Sequence, residues 1–149
     1  MKVLLVSDTH NNNYAVDILK EAYPDMDIYL HLGDSETDKF NMGDFRTVRG
    51  NMDYYDFPES LLIPTPYGNM YCAHKPIIND RLFKEKEVKI FVHGHTHIRK
   101  FINENGLIIV NPGAVSFPRD KFEGSFAIMD ISKDKVEVEF HTIDEIISH

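Results

Sequence analysis

Asp8, His10, Asp34, Asn51, His74, His95 and His97 offer oxygen and imidazole donors of the kind that hold divalent metal ions. Singly they are ordinary, since a lone Asp-x-His is more often a helix cap or turn than a ligand pair. Together they are not. One ion rarely needs so many donors, whereas two ions sharing a bridging carboxylate do. Such a pair can stabilise charge developing on a substrate oxygen and lower the pKa of a bound water, which at zinc falls to about 7. Cys72 is the only cysteine, so an intrachain disulfide and a thiolate cluster are excluded and the site must use nitrogen and oxygen. No Ser or Cys stands in a recognisable nucleophile motif, which agrees with attack by water. Imidazole with carboxylate suits manganese, iron, zinc, cobalt or nickel.

These residues occur at five places, each just after a segment of strand character. Lys2–Ser7, whose unbroken Val-Leu-Leu-Val predicts a strand buried on both faces, leads to Asp8 and His10. Residues 27–32 lead to Asp34, 45–49 to Asn51, 70–73 to His74, and 89–93 to His95 and His97. In open α/β sheets ligands bind at the carboxyl ends of strands. Gly33, Gly50 and Gly94 immediately precede Asp34, Asn51 and His95, and glycine permits the sharp turn that re-aims a strand end.

Between the first two strands, Ala15, Ile18, Leu19 and Ala22 recur at helical spacing after three asparagines that could cap a helix. A weaker helical segment spans residues 77–86, and Pro58, Pro64 and Pro66 punctuate one connection. In the second half, residues 101–103 and 107–110 flank Asn105-Gly106, a strong hairpin signal. Val136, Val138 and Phe140 alternate with Glu137 and Glu139, as in a strand with one wet face. A partly parallel α/β half leading into antiparallel strands predicts an α/β (α+β) fold of two packed sheets flanked by helices.

The chain has 149 residues, 42% of them hydrophobic, which predicts one domain over residues 1–149. No apolar run approaches the roughly 20 residues of a membrane-spanning helix, and no secretory leader is evident, so the expected location is the cytoplasm. The formal net charge of −8 argues against a broad nucleic-acid surface but not against a small phosphorylated substrate. Two bound cations would add four positive charges locally.

In order and spacing, Asp8-x-His10, Gly33-Asp34, Gly50-Asn51-x-Asp53, His74 and Gly94-His95-Thr96-His97 resemble the calcineurin-like metallophosphoesterases, in their small YfcE-like branch. Asn111-Pro112-Gly113 is similar to the terminal loop of that branch. The resemblance spans almost the whole chain. It implies a four-layer αββα sandwich of two mixed sheets and a binuclear centre. By it, Asp8, His10 and His97 would hold one ion, Asn51, His74 and His95 the other, and Asp34 would bridge them. Asp34, Asn51 and His74 would then act directly in catalysis, Asn51 offering its amide hydrogens to a phosphate oxygen. The implied function is hydrolysis of a small phosphate ester, in the first instance a diester, by a metal-bound hydroxide. Manganese is the first expectation for the two ions, with nickel, iron, zinc, cobalt or magnesium as alternatives.

Larger members of that superfamily carry a histidine after the motif asparagine, where it protonates the leaving group; here Met52 takes its place. General acid catalysis contributes about 10²- to 10⁴-fold, so its loss favours good leaving groups or phosphodiesters. Lys75, where many relatives have glycine, could contact a substrate phosphate, although a solvated lysine is the default. Asp53 could orient a ligand or stabilise its turn. His31 and His93 are expected to be satisfied histidines near strand ends, and Arg119 a surface arginine able to bind phosphate. Tyr54, Tyr55 and Phe57 are expected in the core or at an oligomer contact rather than stacked on an aromatic leaving group. His141 and His149 carry no signal. Competing functions are a catalytically weak interaction scaffold, as in a retromer subunit of similar fold, or a metallonuclease. Complete donors disfavour the first, and the acidic surface the second. A homo-oligomer is left open.

Overall fold

A computed structural model describes residues 1–116 and 124–147. It contains β1 (Lys2–Val6), α1 (Asn13–Ala22), β2 (Ile28–His31), α2 (Lys39–Met42), β3 (Arg46–Thr47), β4 (Ser60–Thr65) and β5 (Gly68–Ala73). There follow α3 (Asp80–Glu85), β6 (Val88–Val92), β7 (Lys100–Glu104), β8 (Leu107–Asn111), β9 (Ser125–Ile131), β10 (Val136–Thr142) and α4 (Ile143–Ile147). The strands make two five-stranded mixed sheets, ordered β10-β9-β1-β2-β3 and β4-β5-β6-β8-β7. β1, β2 and β3 run parallel, as do β5, β6 and β8, while β9, β10, β4 and β7 pair antiparallel to their neighbours.

Alternation along β1 builds the layers. Val3 and Leu5 face the other sheet and share a core with Met70, Cys72, Ile90, Val92 and Val110. Leu4 and Val6 point the other way, against Val16 and Leu19 of α1, Met42 of α2 and Ile143 of α4. Phe83 of α3 covers Phe91 and Ile109 on the far side of the second sheet. The result is the expected αββα sandwich, and β1 is buried on both faces as its sequence predicts. Cys72 is fully buried in the sheet-to-sheet core, where burial pushes its thiol pKa up.

Several elements differ from expectation. The proline-punctuated connection contains β4, with Pro64 inside it; β4 is an edge strand, where the missing N–H can face away from the ladder. β9 was not expected, because its near-continuous burial between β1 and β10 leaves no alternation to read. The weak helix shortens to Asp80–Glu85, where Asn79 accepts from the Leu82 amide at 3.0 Å. The Asn12 side chain caps α1 through the Ala15 amide, and Asn105 and Gly106 both take positive φ at the β7–β8 hairpin. No helix among the described residues is long and apolar enough to cross a membrane.

Candidate functional site

The carboxyl ends of β1, β2, β3, β5 and β6 converge on one rim, and all seven predicted donors lie on it. From Asn51, a run of close approaches crosses the site. The Asn51 Oδ1 is 3.2 Å from His95 Nδ1, which is 3.2 Å from His74 Nε2. His74 Nε2 stands 3.3 Å from Asp34 Oδ2 and 3.9 Å from Asp8 Oδ1, and His97 Nε2 is 3.2 Å from the same Asp8 oxygen. The His10 and His97 rings lie 5.7 Å apart. Two triads have donor atoms within 4.8 Å of one another: Asp8, His10 and His97, and Asp8, Asp34 and His74. They meet at Asp8, while Asp34 belongs to the second triad.

The backbone that presents these groups is unusual. Asp8, His10, Asp34, His95 and His97 all have φ between 47° and 72°, in the left-handed region. Such conformations cost of order 1 kcal/mol or more and persist where the surroundings over-determine them. Here they are held by cross-loop hydrogen bonds. The amides of Asp8 and His10 donate to Gly33 O at 3.0 Å and Asp34 O at 2.9 Å. Asp53 accepts from the amides of Asp34, Glu36 and Gly50 at 3.0, 2.8 and 2.7 Å, so it is the clamp of its turn and also orients Asp34. Asn111 donates to Gly94 O and Thr96 Oγ1, tying the terminal loop to His95 and His97.

Only Gly33 of the three expected turn glycines has positive φ. Gly50 and Gly94 are required by close approach instead. A Cβ on Gly50 would overlap the Asp34 carboxylate and amide, and one on Gly94 would overlap Ser7 Oγ. The glycines therefore let one loop pack against the functional carboxylate of another.

Asp8 is fully buried. Its Oδ2 accepts from Ser7 Oγ at 2.7 Å and from the His95 amide at 3.2 Å. Its Oδ1 has no hydrogen-bond partner among the described residues, yet it faces two imidazole nitrogens. A buried carboxylate oxygen left in this way is costly without a counter-charge, and an N/O donor set of this kind fits a divalent cation. Burial would raise the Asp34 pKa, but hydrogen bonds from His74 and the Met52 amide outweigh it and hold the carboxyl below its usual value. Burial works against charging His74, but its hydrogen bond to Asp34 and the Asp8 charge prevail and raise its pKa. The His74 Nδ1 donates to Leu32 O at 2.8 Å, leaving Nε2 aimed at the carboxylates.

The remaining predicted residues separate clearly. His31 is buried and satisfied: Nδ1 accepts from the Gly33 amide at 3.1 Å, so Nε2 carries the proton toward Thr9 Oγ1 at 3.0 Å, and burial lowers its pKa to about 4. His93 is only half satisfied, its Nδ1 donating to Gly94 O while Nε2 has no hydrogen bond among the described residues. Phe57 enters the core, but Tyr54 and Tyr55 are exposed, correcting the core expectation for the pair. Met52 is also exposed, and its amide holds Asp34. His141 pairs with Glu145 on the surface. Arg119 and His149 lie outside the described residues.

Ser7, Thr9 and Glu36 were not singled out from sequence. Glu36 Oε1 lies 3.5 Å from His10 Nδ1, and its backbone has a φ of 55°. Ser7 could have been noticed as the neighbour of Asp8 at a strand end; Glu36 carried no comparable signal. Beside Asn51 and His74 opens a cleft of about 490 Å³ that includes Arg49, Lys75, Tyr71 and Phe83.

Residues 1–134 match the calcineurin-like phosphoesterase superfamily domain, and the chain belongs to that family, which in general uses divalent metals. It is 27% identical to the probable metallophosphoesterase YsnB of Bacillus subtilis, over 95% of this chain and 90% of the relative. A predicted phosphoesterase from Streptococcus pneumoniae superposes with a TM-score of 0.86 at 28% identity, covering 96% of this chain and 90% of that one. Vps29 of Chaetomium thermophilum shares the fold at a TM-score of 0.69 and 19% identity, over 95% and 97% of the two chains. Since the fold is common to proteins of both names, function here turns on the site.

Proposed function

We propose that the protein is a binuclear metal-dependent phosphodiesterase acting on a small phosphate ester in the cytoplasm, with manganese the first metal to test. The observation that supports this best is the unbroken run of donor atoms from Asn51 through His95, His74 and Asp34 to Asp8 and His97, each within 3.9 Å of the next or of a shared partner. Asp8, His10 and His97 would hold one ion and Asn51, His74 and His95 the other. Asp34 is assigned as the carboxylate they share, with Asp8 adding negative charge at the same wall. Bound cations would supply charge neutralisation at phosphorus and an activated water.

The protein's own groups orient this chemistry. Asn51 is exposed at the rim and can present its amide hydrogens to a phosphate oxygen. Asp53 and Asn111 hold the loops at fixed spacing, and Leu32 O fixes the His74 ring. Met52 cannot donate a proton, which favours diesters and good leaving groups. In the test, metal-stripped protein receives manganese, nickel, zinc or magnesium singly and is offered bis(p-nitrophenyl) phosphate and p-nitrophenyl phosphate. Metal-restored turnover favouring the diester is expected. Tight metal binding with no turnover of either ester would instead support an interaction role.

A further inference from the structure

We propose that the cleft beside Asn51 and His74 seats an aromatic substituent of the substrate that carries a negative charge of its own, the chemistry of a nucleotide. This rests on the phosphodiesterase reading above. A diester has two organic substituents, and whichever is retained needs a place next to the scissile phosphate. The cleft includes Asn51, assigned to the phosphate, and His74, assigned to an ion, and its volume of about 490 Å³ is in the range of small-molecule sites.

The lining combines two kinds of side chain. Arg49, just before Gly50-Asn51 in the chain, and Lys75, just after His74, bring two cations into a chain of net charge −8. Glu59 stands 4.0 Å from Arg49, with both side chains well exposed, so the neutralisation is weak. Lys75 forms no ion pair among the described residues. Tyr71, Ile77, Leu82 and Phe83 line the same cleft. Tyr71 is half-buried, its ring braced by Phe83 at 5.0 Å, and Ile77 is 67% exposed, an isoleucine held in water at the lip. Cations and an apolar, aromatic wall in one cleft match a second anionic group attached to a flat ring system, because such rings stack without demanding a specific hydrogen-bond pattern.

Three esters that release the same p-nitrophenolate separate these contributions: methyl p-nitrophenyl phosphate, thymidine 5′-(p-nitrophenyl phosphate), and its 3′-phosphorylated form. With manganese restored, kcat/KM is expected to rise about tenfold from the first to the second through ring packing. A further rise of about fivefold is expected for the third, through contact of its added phosphate with the cations. Ile77→Asp should remove the first step and Lys75→Ala the second, each by raising KM. Independently of turnover, titrating thymidine 3′,5′-bisphosphate into metal-free protein should shift the Ile77 and Leu82 methyl resonances saturably. Turnover of all three esters at equal kcat/KM would overturn the subsite and leave the phosphodiesterase standing. Turnover of none by metal-loaded protein would overturn that reading and the subsite with it.

Discussion

Among the places with left-handed backbone, the β7–β8 hairpin tip and the rim that gathers the candidate donors make the sharpest contrast. At the tip the residues are Asn105 and Gly106, and a Cβ on Gly106 would meet nothing. At the rim they include Asp8, His10, Asp34 and His95, hydrogen-bonded to loops far away in sequence, and His97, whose ring reaches Asp8. The tip is a local solution that two residue types make inexpensive. The rim is a collective one, in which hydrogen bonds between five strand ends hold aspartates and histidines in conformations they would not choose alone.

The comparison is tested most severely at its chemical centre. Asp34→Asn should lower metal-restored hydrolysis by more than about a hundredfold, while Asn105→Ala at the hairpin leaves it within twofold or so. Metal content counted alongside decides which carboxylate is shared: loss of both ions in Asp34→Asn, but not in Asp8→Asn, supports Asp34. The reverse result would move the bridge to Asp8.

Next in size is the pH dependence of stability beneath the rim. The folded pKa of His31, about 4, lies below its ordinary 6.5, so its contribution is fully present above pH 6.5 and is lost as pH falls toward 4. The separation corresponds to roughly 3 kcal/mol. Urea denaturation between pH 7 and pH 4 measures the decline, and histidine NMR should show His31 neutral with its proton on Nε2 at pH 5.5. A protonated His31 at that pH would show the rim to be looser than its hydrogen bonds imply.

Two glycine substitutions sharpen the contrast further. Gly50→Ala places a Cβ against the Asp34 carboxylate and should destabilise by about 1–3 kcal/mol and weaken metal binding. Gly106→Ala meets open space at a φ of 88° and should cost about 1 kcal/mol, from backbone strain alone. Denaturant midpoints give both values, and only the first variant should change metal affinity.

Much of this was legible in the chain because it is written in short-range patterns. The Val-Leu-Leu-Val of β1, the helical spacing after Asn12 and the Asn105-Gly106 hairpin each depend on neighbours a few residues apart. The candidate donors were legible for a different reason, since they recur after strands and their order resembles a known family. β4 was hidden because Pro64 is tolerated only by virtue of an edge position that no local window reveals. β9 was hidden because Ser125–Ile131 shows neither alternation nor an unbroken aliphatic run like the Val-Leu-Leu-Val of β1. Glu36 became visible only beside His10, whereas Ser7 already stood next to Asp8 in the chain.

The amino-acid order alone therefore determined which groups are available for chemistry, that no thiolate is among them, and that strand ends carry them. The folded chain decided how those groups meet. It placed Asp8 between two imidazoles, turned Asp53 into a three-amide clamp, and made Gly50 and Gly94 necessary through contact rather than turning. The physical reason is range: periodicity and turn chemistry act over a few residues, whereas the spacing between carboxylate and imidazole is set by two packed sheets whose loops touch only once both have formed.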